Sequence, residues 1–335
     1  MHKPLVILFF IYAFCLMIVI SCEKKTSYKE RLKDYQSTVE TTSSKKIENL
    51  FFVGRAGSEA GLYKYKLDKN NYEPFWSYPN ENVIQLSYSD NLEYAYFLTA
   101  RIIGTRQGVP FIRKINLYSI DLEHSSVELI SKIGDAVQLS AYWLDNNYKI
   151  QFTQFDMKIA SHINKINQIY SPFGKLIKED IEIFDFIKDG YPQFEKKLTS
   201  LISPSGNFGI TQSTDSVFLS IADAIDKVFI DSTAGMINKV KWSSDEIYVF
   251  FRTISFNENK YKIIPSTIYV YDIVNQKIVK KLDSDNTMNF IITNDLLIYD
   301  TSFNNRSAIG VFNYKKDEDV LRIEIRGGCG IINIL

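Results

Sequence analysis

Histidine is scarce in this sequence, and the chain carries no net charge. Only three of its 335 residues are histidines, and neither His124 nor His162 has a second histidine at metal-ligand spacing. Lysine and arginine together number 39, as do aspartate and glutamate, so bulk neutralisation of nucleic-acid phosphates is disfavoured. The G-x-S-x-G pattern of a nucleophile elbow is also absent. The composition therefore predicts no histidine-based metal site, no cofactor and no nucleic-acid partner.

Long apolar runs are also rare, and the one present lies at the N-terminus. Residues 5–20 are uncharged and apolar, follow Lys3, and stop before the polar segment that begins at Glu23. The run is shorter than the roughly 20 residues that cross a bilayer, and no stop-transfer pattern follows it. This pattern predicts a secretory signal peptide over residues 1–21 that is removed by cleavage.

The end of this segment, Val19-Ile20-Ser21-Cys22, resembles a bacterial lipobox. The resemblance implies that Cys22 becomes the acylated N-terminus of the mature chain, carrying palmitate-type lipid that holds the protein at a membrane. Val19 and Ile20 depart from the commonest lipobox, which has leucine and a smaller residue there. A chance cysteine after an ordinary signal peptide is the alternative. Residues 22–47 are polar and are predicted to form a flexible tether to a folded domain over residues 48–335.

Cysteine is scarce as well, with three in the chain. Cys15 would leave with the signal peptide and Cys22 would carry lipid, so only Cys329 remains in the folded domain. An intramolecular disulfide is then impossible, and the domain must depend on its apolar core. The content of 45% hydrophobic residues is sufficient for such a core.

From residue 50 onward the chain repeats a strand, a tight polar turn and a second strand. Five segments share this pattern, and their turns are about 40 to 60 residues apart, which is typical of radial repeats. The turn residues are Asp90, Asp145, Ser205, Asp245 and Asp295. A further hairpin with a polar turn accompanies the segments. Each unit thus has four predicted strands, the composition of a β-propeller blade.

The two ends of this region complement each other. Residues 50–78 contain three predicted strands without a first strand, and residues 330–335 form one strand with nothing after it. Pairing them would close a ring and remove an open sheet edge. The prediction is an all-β, six-bladed β-propeller closed by the C-terminal strand. A β-sandwich and a β-helix are the alternatives, and the long period and the missing first strand disfavour both.

Two turns, Ser203-Pro-Ser-Gly-Asn and Lys241-Trp-Ser-Ser-Asp, resemble the repeats of TolB-like and WD40-like propellers. The repeat motif of those propellers reads roughly Trp-Ser-Pro-Asp-Gly, and only Pro204 and Gly206 keep its proline and glycine. The resemblance covers residues 50–335. It implies an envelope propeller that docks other proteins, as in the Tol-Pal system or, by analogy, the outer-membrane β-barrel assembly machine.

Two short motifs have alternative interpretations. The glycine-rich segment from Gly54 to Gly61 joins two predicted strands, so a hairpin turn is favoured over a phosphate-binding loop. The segment from Asp283 to Asn286 has the acidic character of a calcium loop but lacks its glycine and distal glutamate. A solvated turn is favoured there.

Three long connections, residues 100–114, 153–167 and 252–266, are predicted to lie on one rim of the propeller and to carry an excess of basic side chains. This excess predicts a basic rim that meets an acidic partner, and the alternative is that these residues only keep the loops soluble. The predicted partner-binding residues are Arg101, Arg106, Arg113, Lys114, Arg252, Lys260 and Lys262.

The sequence thus favours a non-enzymatic, membrane-anchored envelope lipoprotein whose propeller is a docking platform for an envelope protein partner. The expected location is the periplasmic face of the outer membrane. One alternative is a propeller enzyme or a small-ligand or sugar-binding receptor that uses the central channel, because carboxylates of the channel can act on sugars. Another is a lipoprotein displayed on the cell surface that binds neighbouring molecules.

Overall fold

The computed structural model describes the chain from residue 49 to residue 330, with internal gaps. The gaps are 57–58, 67–68, 70, 90–91, 107–108, 145, 160, 195–200, 223–226, 234, 256–264, 285–287, 294, 304–305 and 327–328. The predicted signal peptide, Cys22 and the tether lie outside these residues. The described residues form strands and turns, and they include no helix long and apolar enough to cross a membrane. The all-β prediction is confirmed.

The strands form six separate antiparallel sheets, numbered I to VI along the chain. Sheet I contains β1 (Asn49–Ala56), β2 (Glu59–Lys66), β3 (Asn71–Trp76) and the C-terminal β24 (Cys329–Gly330). Sheet II contains β4 (Asn82–Tyr88), β5 (Tyr94–Ala100), β6 (Ile102–Arg106), β7 (Val109–Asp121) and β8 (Ser126–Ala136). Sheet III contains β9 (Gln138–Leu144), β10 (Asn147–Phe155), β11 (His162–Tyr170) and β12 (Leu176–Asp185).

The other three sheets follow the same order. Sheet IV contains β13 (Phe208–Ser213), β14 (Ser216–Ile221) and β15 (Val228–Ser232). Sheet V contains β16 (Met236–Trp242), β17 (Tyr248–Ile254), β18 (Ser266–Asp272) and β19 (Lys277–Ser284). Sheet VI contains β20 (Phe290–Thr293), β21 (Leu296–Phe303), β22 (Arg306–Asn313) and β23 (Glu318–Arg326). In sheets III to VI, strands that follow each other along the chain are neighbours, as in the blades of a propeller. In sheet II, β5 pairs with β7, and β6 forms a ribbon with the first part of β7.

A buried serine fixes the first turn of three sheets. The hydroxyl oxygens of Ser89, Ser203 and Ser243 each accept a hydrogen bond from the backbone N–H five residues later, at 3.1, 3.2 and 2.9 Å. Each serine N–H in turn donates to the carbonyl of that same later residue. Serine satisfies backbone groups in tight turns in this way. The repeat predicted from the polar turns therefore has a common hydrogen-bonding basis.

Apolar side chains on the sheet faces form four clusters that join neighbouring sheets. One cluster joins sheets VI, I and II, a second joins II and III, a third joins IV and V, and a fourth joins V and VI. Within the described part of the chain, no such cluster joins sheets III and IV. The core is thus a series of face-to-face sheet contacts, each made by residues that alternate along the strands.

The first and last strands that the structure describes meet in sheet I. Gly330 pairs with Val53 and Cys329 pairs with Gly54, which places β24 beside β1 in antiparallel orientation. The predicted ring closure requires this contact. The predicted six blades correspond to the six sheets of the described residues. A closed ring of six blades remains a prediction, and residues 331–335 lie outside the described part.

Parts of the three predicted rim connections are strands. Residues 100–114 contain β6 and the first part of β7, which pair as a ribbon from Ile102 with Arg113 to Arg106 with Val109. β17 continues to Ile254, so Arg252 is a strand residue rather than a loop residue. The physical reason is the run of β-branched and aromatic residues in these segments, which favours extended pairing over a solvated loop. The glycine-rich segment is the β1–β2 hairpin, where Gly54 faces Gly61, as predicted.

Candidate functional site

The most unusual polar side chain among the described residues is that of Arg252 in β17. Arg252 pairs with Lys239 of β16 on one side and with Ile268 of β18 on the other. Its side chain is only 8% exposed, although this strand lies in a sheet with abundant apolar residues. A buried guanidinium requires partners for its charge and its N–H groups, and these partners define the site.

Neutral oxygens surround this guanidinium. Nη1 donates hydrogen bonds to the carbonyl oxygen of Met288 and to Oδ1 of Asn289, and Nη2 donates to Oδ1 of Asn238. Three of the five guanidinium N–H groups thus have acceptors among the described residues. Nε is buried and has no hydrogen-bond partner there. Within the same residues, no carboxylate lies within 4.0 Å of the arginine nitrogens.

Burial has a measurable electrostatic consequence for this side chain. Loss of hydration lowers the pKa of Arg252 to about 10, and the negative charge of Asp300 opposes that change. A buried charge without a close counterion is unfavourable, because the solvation that it loses is not replaced by an equally strong interaction. An anion bound at Nε would supply both a counterion and the missing acceptor.

The partners of Arg252 are themselves held in place. Asp300, in β21, accepts a 2.5 Å hydrogen bond from the N–H of Asn289 through Oδ1. The N–H of Met288 donates to Oγ of Ser266 at 2.7 Å. These bonds fix the connection between sheets V and VI where it reaches the arginine. Asn238 differs from the other partners because it is exposed, on the first strand of sheet V.

A second cation lies beside the arginine. Lys239 is directly opposite Arg252 across the strand pair, so the two side chains share one face of sheet V. Its Nζ lies 4.5 Å from the centroid of the Phe290 ring and donates to the Phe290 carbonyl at 2.5 Å. Like charges on directly opposite residues are unfavourable in a sheet. Their pairing here makes the start of β20 locally electropositive.

A buried carboxylate lies just before β4, at the start of sheet II. Glu81 is 4% exposed and accepts hydrogen bonds from Thr99 Oγ1 at 2.8 Å, Asn116 Nδ2 at 3.2 Å and Tyr118 OH at 3.4 Å. Arg101 Nε lies 3.9 Å from its Oε1. Burial, followed by the charge of Glu81, raises the pKa of Tyr118 to about 12, so this phenol stays neutral at physiological pH. The carboxylate is fully provided with donors and serves as a structural anchor.

The structure separates the predicted rim residues into different environments. Arg101 is partly exposed beside Glu81, and the half-exposed Arg113 has its Nε 3.9 Å from Asp135 Oδ2. The backbone N–H of Lys114 donates to the same aspartate at 3.0 Å. Acidic residues from adjacent segments thus lie beside these basic residues. The excess of basic side chains, counted over the three connections alone, did not include them.

One rim prediction needs correction, and three others fall outside what the structure describes. Arg252 was predicted to meet a partner from an exposed loop, but it is a buried strand residue whose guanidinium donates hydrogen bonds to Met288, Asn289 and Asn238. Lys260 and Lys262 lie in an undescribed segment, and the side chain of Arg106 is likewise outside the described set.

Sequence reasoning missed the residues that surround Arg252. Asn238, Asn289 and Asp300 are dispersed along the chain and belong to no repeated motif. The only signal in the sequence is a basic residue inside an otherwise apolar strand pattern, Val249-Phe250-Phe251-Arg252. Among the described residues, no group of three or more histidine, cysteine or acidic side chains is arranged to hold a metal ion. Asp283, from the calcium-like segment, accepts a hydrogen bond from Thr267 instead.

No family model and no curated protein matches this chain. Solved structures do match it in fold. The periplasmic gluconolactonase of Pseudomonas aeruginosa is 9% identical over 85% of this chain and 97% of its own, with a TM-score of 0.43. A putative 6-phosphogluconolactonase from Bacteroides fragilis is 15% identical over 85% and 98%, with a TM-score of 0.41. TolB from Acinetobacter baumannii is 13% identical over 85% of this chain and 53% of its own, with a TM-score of 0.27.

These comparisons concern the fold, and they correct one prediction. The sequence analysis favoured a non-enzymatic docking platform, on the TolB-like resemblance, the basic rim and the absence of familiar catalytic motifs. The solved structures that match this chain in fold include a gluconolactonase and putative 6-phosphogluconolactonases. The prediction of a non-enzyme was wrong, and the docking role is not retained.

Proposed function

We propose that this chain is a small-ligand propeller, an enzyme or a receptor, that binds a small hydroxyl-bearing anion at Arg252. The observation that carries the proposal is the buried guanidinium, which among the described residues has no hydrogen-bond partner at Nε and no carboxylate in ion-pair distance. Guanidinium groups recognise carboxylates and phosphates through two parallel hydrogen bonds. The neighbouring amide of Asn289 provides N–H donors of the type that binds hydroxyl groups.

The hydrogen bonds of the guanidinium indicate which of its nitrogens the anion would contact. Nε and Nη2 form the side-on fork of the guanidinium, and in the described part of the chain the acceptor on that fork is the exposed side chain of Asn238. A carboxylate that displaced the Asn238 amide would accept from both Nε and Nη2. Met288 and Asn289 would continue to hold Nη1, so the fork would stay in one orientation. Lys239 would add a favourable charge from the adjacent strand.

Binding of gluconate is the direct test, because it joins a carboxylate to a chain of hydroxyl groups. Isothermal titration calorimetry of the purified chain should detect gluconate but not glucose, which has the hydroxyls without the charge. Arg252→Met keeps an apolar stem of similar length and should reduce gluconate affinity about tenfold or more, the equivalent of ~1.4 kcal/mol. Asn238→Ala should increase affinity, since the fork is then open. Arg113→Met, at an exposed arginine, is the matched control and should bind as the parent does.

The same preparation distinguishes an enzyme from a receptor. Hydrolysis of glucono-1,5-lactone yields an acid that a pH-stat follows directly, and its product is the anion that Arg252 is proposed to bind. Turnover that falls in Arg252→Met would indicate an enzyme, and gluconate binding without turnover would indicate a receptor. The proposal is wrong if gluconate, other small carboxylates and phosphate fail to bind the parent chain. It is also wrong if they bind Arg252→Met as well as they bind the parent chain.

We further propose that the chain is exported to the bacterial cell envelope and is anchored by lipid on Cys22. The apolar segment of residues 5–20 and the lipobox-like Val19-Ile20-Ser21-Cys22 support this location. Metabolic labelling with a palmitate analogue should mark the parent chain in the membrane fraction. Cys22→Ser should abolish the label, whereas Cys329→Ser should leave it unchanged. Labelling that persists in Cys22→Ser would contradict lipid attachment at this residue.

A further inference from the structure

One acidic side chain belongs to the Arg252 site as well as two basic ones. Asp300 is part of β21 in sheet VI and is only 7% exposed. Its Oδ1 accepts a hydrogen bond from the N–H of Asn289 at 2.5 Å, and Oδ1 of the same asparagine accepts one from Arg252 Nη1. One residue thus connects the buried carboxylate to the guanidinium. Burial lowers the pKa of Arg252 to about 10 and the negative charge of Asp300 opposes this change, so that charge acts at the guanidinium.

Three side chains determine the charge of this site within the described residues. Arg252 and Lys239 each carry a positive charge and donate hydrogen bonds to backbone carbonyl groups within residues 288–290. Asp300 carries a negative charge and holds the backbone of Asn289 between those carbonyl groups. Two positive charges and one negative charge leave a net charge of +1. The site is therefore matched to a ligand with a single negative charge.

The charge of a ligand affects its binding in two opposing ways. Its attraction to the site grows in proportion to its charge, whereas the cost of removing it from water grows with about the square of that charge. A strongly positive site therefore favours a dianion, and a weakly positive site favours a monoanion. The carboxylate of Asp300 reduces the positive potential at the guanidinium, so it disfavours a dianion more than a monoanion.

We propose that Asp300 makes this site selective for a monocarboxylate over the dianion of a phosphate monoester. This selectivity rests on the anion site proposed above and narrows its ligand to a hydroxyl-bearing acid with one charge. Asp300 acts through its charge and through Asn289, without contacting the ligand, so it is a positioning residue that determines specificity. If it only held Asn289 in place, its loss would affect all anions alike. A role through charge affects each anion according to its charge.

Calorimetric titration at pH 8 and constant ionic strength tests this selectivity with gluconate and glucose 6-phosphate. Glucose 6-phosphate is mostly a dianion there, because the second pKa of a phosphate monoester is about 6. The parent chain should bind gluconate more tightly. Asp300→Asn removes the charge but keeps an oxygen that can accept from Asn289. It should tighten gluconate binding about fivefold and glucose 6-phosphate binding about 25-fold, because the change in Coulomb energy doubles with the charge of the ligand.

Two further variants separate the effect of charge from misfolding. Asp319→Asn makes the same change at an exposed aspartate of sheet VI, which pairs with Lys280, and should leave both affinities unchanged. Asp300→Ser is a second uncharged variant whose hydroxyl can also accept from Asn289. It should shift the ratio of the two affinities in the same direction as Asp300→Asn.

Lys239→Met changes the charge of the site in the opposite direction. It should weaken gluconate binding about fivefold and glucose 6-phosphate binding about 25-fold. The double variant of Asp300→Asn with Lys239→Met regains the net charge of the parent site. Its ratio of affinities should therefore return to that of the parent chain.

The outcomes distinguish this selectivity from the proposed function. An unchanged ratio in both Asp300 variants, or tighter binding of glucose 6-phosphate than of gluconate by the parent chain, would overturn the selectivity and leave the anion site in place. Equal factors for the two ligands in Lys239→Met, or a double variant that keeps the ratio of either single variant, would also contradict it. If neither ligand binds the parent chain, or both bind Arg252→Met equally well, the anion site is refuted and the selectivity with it.

Discussion

Individual buried hydroxyl groups in this protein have very different roles. Tyr88 of sheet II reaches into sheet I, where its OH accepts from the Phe51 N–H at 2.8 Å and donates to the Phe51 carbonyl oxygen. Burial raises the pKa of Tyr88, so the phenol remains a neutral donor and acceptor. Tyr148 in sheet III is also fully buried, but its OH has no hydrogen-bond partner among the residues that the structure describes. The two tyrosines form a natural comparison.

Removing the Tyr88 hydroxyl should destabilise the protein. Tyr88→Phe would leave the N–H and the carbonyl of Phe51 buried and unpaired, which costs about 1–3 kcal/mol in the free energy of unfolding. Tyr148→Phe removes a hydroxyl that pairs with nothing and should leave stability unchanged or slightly higher. Urea unfolding of both variants measures the difference. Equal losses in the two variants would contradict the role assigned to Tyr88.

At the scale of the element, the sequence predicted the strand and turn units but not the residue that organises them. The prediction aligned the units on turn residues such as Ser205 and Asp245, whereas the conserved hydrogen-bond geometry belongs to Ser203 and Ser243, two positions earlier. A serine in a polar turn has no distinguishing pattern in one sequence. Its role is evident only in the structure, where the hydroxyl accepts a hydrogen bond from the first residue of the following strand.

Element boundaries were least predictable near the rim. Residues 100–114 were predicted to be a long connection between two strands. They include the β6–β7 ribbon, whose pairing from Ile102 to Arg113 satisfies the backbone of both segments. β12 shows the opposite case. Its alternation of isoleucine with charged residues is that of an amphipathic strand, but its apolar side chains remain exposed.

For the whole molecule, we expect the pairing of β1 with β24 to stabilise the fold. The β1–β24 pairing covers one edge of sheet I and brings residues distant in sequence together. Deleting residues 329–335 would open that edge and remove the pairing with Val53 and Gly54. The truncated chain should melt at a lower temperature and aggregate sooner, because an open edge recruits other strands.

A scanning calorimeter and light scattering measure both effects. A shorter deletion of residues 331–335 retains β24 and serves as the control. If both deletions behave as the full chain does, the pairing of the ends contributes nothing measurable and the closure prediction loses its support.

The sequence by itself determined the all-β class, the repeating units and the meeting of the two ends, because strand periodicity and turn chemistry are local properties that survive in a single sequence. The tertiary structure alone decided the candidate site. Arg252 is one basic residue among many in the sequence, and its importance arises from burial between two sheets and from Asn238, Asn289 and Asp300. Burial and cross-sheet contact depend on how distant segments pack, and local patterns do not encode them.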